Sequence, residues 1–182
     1  MKLNKKIISG IIALILFFTG SYVIEQEEEK STTVTNDQVA VELERVIDGD
    51  TIVITENNEE KKLRLLLIDT PESSTTKTGS AQPYGVEAKN FLKNFLKGKE
   101  LAIEYDPSHE KMDDYERVLA YLYADNELVQ EVLVEEGLAR VGYENGDDLY
   151  LERLEEAEQK ASAAEANIWS IKGYVKEYGF NK

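Results

Sequence analysis

Three strand-like runs follow one another between residues 39 and 68, and nothing else in the chain limits its fold so tightly. VAVELERVI at 39–47, TIVITE at 51–56 and KKLRLLLI at 61–68 are rich in β-branched residues and leucine, and much of their length alternates apolar with polar positions. Val, Ile and Thr keep few side-chain rotamers and suit a pleated, half-buried surface. Asp48-Gly49-Asp50 separates the first run from the second, and Asn57-Asn58 separates the second from the third. Asp, Asn and Gly supply the left-handed residues that tight hairpins need. The three runs therefore predict a meander, in which the start of the second strand and the end of the third share one edge.

The rest of the chain alternates helix and strand. Ser73 to Pro83 is polar and predicts a long surface loop. Val86, Ala88, Phe91, Leu92, Phe95 and Leu96 then recur at helical spacing over 84–96, and Lys97-Gly98-Lys99 ends the helix. LAIEY at 101–105 and RVLAYLY at 117–123 predict a fourth and a fifth strand, the fifth ending at Asp125-Asn126. A short helix over 128–136 stops at Gly137, and a Glu- and Ala-rich helix covers 150–166. That order of elements predicts an α+β fold class, and five short strands of this kind could close as an OB-type β-barrel with a helix beneath it.

Composition narrows the chemistry. The 182 residues contain no Cys and one His, His109. Disulfides, thiolate metal sites, cysteine nucleophiles and multi-histidine zinc sites are excluded. The net charge is −15, with 36 Asp and Glu against 21 Lys and Arg, which argues against a protein that coats nucleic acid through a basic surface. Residues 1–24 hold Lys2, Lys5 and Lys6 and no acid, followed by an uncharged, strongly apolar stretch from Ile7 to Ile24. That pattern predicts a signal peptide or an N-terminal membrane anchor, both readings standing open. Residues 25–38 are a polar linker, 39–172 the folded domain and 173–182 a C-terminal tail.

Chemistry must therefore run on carboxylates, arginines and hydroxyls. Asp48, Asp50, Asp69 and Glu72 lie at strand ends on the predicted common edge. Their oxygens suit a hard cation, Ca²⁺ or Mg²⁺, although Asp-Gly-Asp is also ordinary turn chemistry. Arg64 interrupts an apolar strand, and Arg is rarely buried without a partner, so it faces solvent or an anion. Arg117 opens the fifth strand behind an acidic loop. Together these residues form a phosphoryl-transfer set: carboxylates for a metal and a water, guanidinium forks for developing negative charge.

VIDGDT, RLLLIDTPE, YGVEA, YERVLAYLY, LVEEGLARV and NIW, in that order between Val39 and Trp169, resemble the staphylococcal-nuclease (thermonuclease) family. The resemblance implies an α+β fold, a five-stranded OB-fold β-barrel with three helices, and a Ca²⁺-dependent endonuclease that hydrolyses DNA and RNA to 3′-phosphate ends. By motif it implies Asp50, Asp69 and the backbone carbonyl of Thr70 as Ca²⁺ ligands, with Asp48 in the outer shell. Arg64 would contact the scissile phosphate. Glu72 would act as general base or orient the attacking water, and Arg117 would stabilise the transition state. Tyr115 and Tyr143 would line the nucleotide pocket; the other reading of each is half-buried barrel packing. Lys77, with Lys61 and Lys62, would form a local basic rim. Two segments depart from the family pattern. Its K-Y-G-R reads Asp114-Tyr115-Glu116-Arg117 here, and Glu144-Asn145-Gly146-Asp147-Asp148 replaces the segment with a second tyrosine after Tyr143.

The partners expected are DNA and RNA as substrate, and a membrane if the N-terminal segment is retained. The chain is expected to be a monomer. The competing function is a non-catalytic OB-fold nucleic-acid-binding module anchored at the membrane, but such a module has no need to keep Arg64, Asp69, Glu72 and Arg117 together. A calcium-buffering protein would carry a D-x-D-x-D-G loop, which is missing.

Overall fold

Strand β1 (Gln38–Val46) is long enough to serve two neighbours, and the barrel is built on that. Its first half pairs antiparallel with β5 (Leu101–Glu104), Val39 opposite Ile103. Its second half pairs antiparallel with β2 (Thr51–Glu56), Val46 opposite Ile52. The change of partner falls between Val41 and Glu42, and a register shift between Leu43 and Arg45 follows just after it; such bulges bend a strand. The computed structural model describes residues 38–74, 79–146 and 148–181. The segments predicted as leader (1–24) and as linker (up to residue 37), and Lys77, lie outside them. Among the described residues no helix is long and apolar enough to cross a membrane.

β2 pairs antiparallel with β3 (Glu59–Leu65), and Asn57 and Asn58 between them have φ of 52° and 64°. Two successive left-handed residues are what a two-residue hairpin requires, and Asn tolerates them. β5 pairs antiparallel with β6 (Val118–Ala124), and β6 pairs parallel with β3, Arg64 opposite Leu119. That pairing closes a five-stranded barrel, the expected OB arrangement. The short strand β7 (Glu127–Leu128) turns back to pair antiparallel with the end of β6.

The third strand stops earlier than KKLRLLLI predicts. Leu66 and Leu67 turn the chain, Leu67 with φ of 61°, and β4 (Ile68–Asp69) leaves the barrel to pair with β8 (Arg140–Val141). Leu65, Leu66, Leu67 and Ile68 are all at most 5% exposed. Burial of the whole run removes the alternation that would have marked the break.

Helix α1 (Gly85–Phe95) buries Ala88 and Leu92 and leaves Val86 exposed, so its apolar face is narrower than expected. α2 (Val129–Glu135) buries Val129, Leu133 and Val134, and α3 (Leu151–Ala163) buries Leu154, Ala157 and Ala161. A 3₁₀ turn (Asn167–Ser170) follows, burying Ile168. The segment expected as a tail folds back: Tyr174 is buried, and its hydroxyl donates to the Pro83 carbonyl at 2.7 Å.

Asp106 ties the loop between β5 and β6 to the barrel. Its Oδ2 accepts from the buried Tyr121 hydroxyl at 2.6 Å and from the Leu149 N–H at 3.0 Å. Its Oδ1 accepts from the Ser108 N–H and hydroxyl at 2.8 and 2.6 Å. Burial alone raises the pKa of this carboxyl, but the four donors outweigh it and hold the value below the usual range. A depressed folded-state pKa adds stability above the unfolded value and loses it as pH falls through the folded one. Asp106→Asn should therefore lower unfolding free energy by about 1–3 kcal/mol at neutral pH. In urea melts across a pH series, the gap to wild type should narrow below about pH 4.

Candidate active site

Asp50 ends the turn between β1 and β2, and Thr51 beside it pairs with Arg64 across the hairpin. Arg64 Nη2 stands 3.3 Å from Asp50 Oδ2 and 3.9 Å from Asp69 Oδ1, and its Nη1 donates to the Leu65 carbonyl at 2.6 Å. Asp50 Oδ2 also accepts the Thr70 N–H at 3.1 Å, and Oδ1 accepts the Thr51 hydroxyl at 2.9 Å. The edge inferred from the meander thus brings Asp50, Arg64, Asp69 and Thr70 together.

Asp48 binds backbone. Its Oδ1 accepts the Gly49 N–H at 3.0 Å and the Ser73 N–H at 3.1 Å, fastening the β1–β2 turn to the segment after β4. Gly49 lets that turn close: a Cβ there would stand 2.7 Å from Thr70 Oγ1 and 2.9 Å from the Ala88 Cβ. Glu72 is held by its backbone, its N–H donating to Gln82 Oε1 at 2.8 Å while the Gln82 N–H donates to its carbonyl at 2.9 Å.

One pocket of about 500 Å³ is lined by Asp50, Arg64, Asp69, Glu72, Tyr115, Arg117 and Tyr143 among others. The two tyrosines are 78% and 65% exposed, which excludes half-buried barrel packing for either ring. Each ring lies beside an arginine: the Arg64 guanidinium is 5.5 Å from the Tyr143 ring centre, and that of Arg117 is 5.5 Å from Tyr115. Arg117 Nε and Nη2 both bond Asp113 Oδ2, at 2.7 and 2.6 Å. Burial pushes the Asp113 carboxyl up, but the Arg117 bonds and two backbone N–H donors bring it below its usual range.

Burial raises the Asp69 carboxyl, and the charge of Asp50 raises it further, against opposing pulls from Arg64 and Arg140. Two carboxylates that repel each other in a partly desolvated cleft favour a cation. Both are hard oxygen donors reaching the same guanidinium, so the donor set fits a divalent ion of the Ca²⁺ or Mg²⁺ type.

Sequence reasoning missed two participants. Arg140, which bonds Asp69 through Nε at 3.3 Å, sits in the apolar run GLARV. Like Arg64, it is a guanidinium set amid buried residues. The other is His109, which lines the pocket. Asp106, His109 and Asp148 bring one donor atom each within 4.8 Å of one another. Those donors are engaged: His109 Nε2 contacts Asp148 Oδ1, and Asp148 Oδ2 accepts the Asn145 N–H at 2.8 Å. No local pattern signals contacts 36 to 43 residues apart along the chain.

A closed barrel with carboxylates and arginines gathered at one edge defines an OB-fold protein with a charged cleft. The family described as Staphylococcal nuclease homologue matches residues 62–171, which includes Arg64, Asp69, Glu72, Arg117 and Tyr143. The chain is 36% identical over 170 residues to the Thermonuclease of Staphylococcus hyicus, covering 91% of this chain and 99% of that one. It is 43% identical over 145 residues to the SPbeta prophage-derived endonuclease YokF of Bacillus subtilis, covering 79% of this chain and 48% of that one. Endonuclease YncB of B. subtilis is also 43% identical over 145 residues, with 67% of its length covered. The chain belongs to the staphylococcal nuclease family, and it spans about half the length of YokF.

Glu116, where the family pattern has Gly, adopts φ of 59°. A left-handed residue with a Cβ is strained by about 1–2 kcal/mol. Glu116→Gly should recover part of this, about 0.5–1 kcal/mol after the added freedom of the unfolded chain is counted, read as a higher urea midpoint.

Proposed function

We propose that this chain is an exported, calcium-dependent endonuclease that hydrolyses phosphodiester bonds of DNA and RNA and leaves 3′-phosphate ends. The observation that carries this reading is the convergence of Asp50, Asp69, Arg64, Glu72 and Arg117 on one pocket. The relatives, two endonucleases and a thermonuclease, point the same way.

In this reading Asp50, Asp69 and the Thr70 carbonyl hold the cation, and Asp48 shapes the turn behind them. Bound there, Ca²⁺ supplies positive charge that polarises the phosphate. Arg64 grips a non-bridging oxygen and keeps the phosphorus beside the carboxylates. Glu72 orients a water and takes its proton as the oxygen adds to phosphorus. The bond from phosphorus to the 5′ oxygen breaks, leaving a 3′-phosphate and, once the departing oxygen is protonated, a 5′-hydroxyl. Arg117, released from Asp113, stabilises charge on the equatorial and departing oxygens. Tyr115 and Tyr143 offer exposed faces for bases or sugars. The chain acts as a monomer. Lys2, Lys5 and Lys6 ahead of the uncharged Ile7–Ile24 stretch direct export, and the segment holds the protein at a membrane if it is not removed.

Incubation of the full chain with plasmid DNA tests the reading. Cleavage is expected in Ca²⁺ and none in excess chelator. Binding without cleavage in Ca²⁺ would establish the anchored binding module instead. Arg117→Lys should cut kcat by about 10²-fold or more while changing KM little, because Lys keeps the charge but loses the fork.

Outside residues 1–24 the chain carries net charge −18, so substrate binding rests on a few local contacts. The log–log salt slope of oligonucleotide binding should be shallow, about −2 to −4. A slope near that of a protein gripping many phosphates would contradict this picture.

A further inference from the structure

Asp69 presents two carboxylate oxygens, and a different arginine stands beside each. Arg64, which lines the pocket, reaches towards Oδ1 at 3.9 Å; Arg140, which does not line it, bonds Oδ2 through Nε at 3.3 Å. Arg140 is only 7% exposed. The β4–β8 pairing sets it directly opposite Asp69. Its Nη1 donates to the Val141 carbonyl at 2.8 Å, and the Val141 N–H donates to Glu158 on α3 at 2.7 Å. Strand pairing and the Glu158 contact therefore fix the backbone at 140–141, and the Val141 carbonyl holds the guanidinium against it.

The neighbouring glycine belongs to the same arrangement. A Cβ on Gly142 would lie 2.7 Å from Arg140 Nη2 and 3.0 Å from its Cζ. The guanidinium fills the volume that any larger residue at 142 would take.

We infer that Arg140 is a positioning residue for cation capture: by holding Asp69 Oδ2 behind the pocket, it turns Oδ1 toward the space shared with Asp50. The inference rests on the reading of Asp50 and Asp69 as metal ligands. A carboxylate rotates over a broad torsional well, and one left free must be ordered when the ion binds. A charge-assisted bond from behind orders it beforehand. Partners of this kind contribute about 10- to 100-fold to metal affinity. The guanidinium also repels an arriving cation, so orientation and charge act in opposite directions, and two substitutions separate them.

Gly142→Ala keeps the positive charge and displaces the flexible end of Arg140 from Asp69. Arg140→Met removes the charge and the bond together, with an apolar side chain of similar length. Calorimetric Ca²⁺ titration of the full chain, without substrate, is the measurement, with urea unfolding in chelator run on each protein. Both variants should bind Ca²⁺ about tenfold or more weakly than wild type, Met doing so although it abolishes the repulsion. Wild-type affinity in Gly142→Ala, or tighter binding in Arg140→Met, overturns the inference and leaves Arg140 as a counter-charge. Loss of urea stability with unchanged Ca²⁺ affinity in the folded variants overturns it as well, in favour of a purely structural role. A wild-type chain that binds no Ca²⁺ overturns the underlying metal reading, a result distinct from all of these.

Discussion

Two carboxylates reaching for one guanidinium are the contact on which the working end of this molecule depends. Asp50, Asp69 and Arg64 have side chains between 11% and 14% exposed, so each charge has given up most of its water. Desolvated charges persist only when paired, and removing one partner costs far more than the pair itself contributes. Asp50 stands before β2, Arg64 within β3 and Asp69 within β4, so the contact exists only where the hairpin and the departing strand meet. The turn at Leu66-Leu67 is what sends Asp69 there instead of continuing it along the barrel wall.

A second motif repeats across the pocket. Arg64 lies beside Tyr143 and Arg117 beside Tyr115, at the same distance from each ring. Each guanidinium is thus flanked by an aromatic face on one side and a carboxylate on the other. Tyr143 reaches its position with φ of 67°, a backbone state that a bulky residue adopts only when its surroundings impose it. Charge recognition and ring stacking are combined twice within one cleft, on a domain whose overall charge repels polyanions.

The barrel was legible because its signals are local. Asn57-Asn58 and Asp125-Asn126 announce left-handed turns, and alternation marks the strands on either side of them. Meander geometry predicts a carboxylate edge, but Asp69 reaches it through the turn at Leu66-Leu67, which the meander does not contain. What escaped was non-local or hidden by burial. The end of β3 vanished into an apolar run that is buried throughout. β8 is two residues long and pairs with a strand over seventy positions earlier, a pairing no periodicity records. The His109 cluster depends on two loops meeting, and Glu116 looked like a lost glycine until its backbone angle explained the pattern. Arg140 was missed for a different reason: the burial argument made for Arg64 was not carried to the second arginine in an apolar run.

The parallel pairing of β3 with β6 has a kinetic meaning. It joins Leu63 to Val118 and Leu65 to Ala120, so the ring shuts only after a long stretch of chain has been brought round. Loop closure of that span is an entropic toll collected before most contacts form. Arg64 sits on one side of this seam and Arg117 immediately precedes the other. An open ring leaves the two guanidiniums on separate, drifting segments with no cleft between them. Folding of this chain and assembly of its pocket are consequently the same event: a nascent or partly collapsed copy has the arginines and carboxylates but no cleft that gathers them.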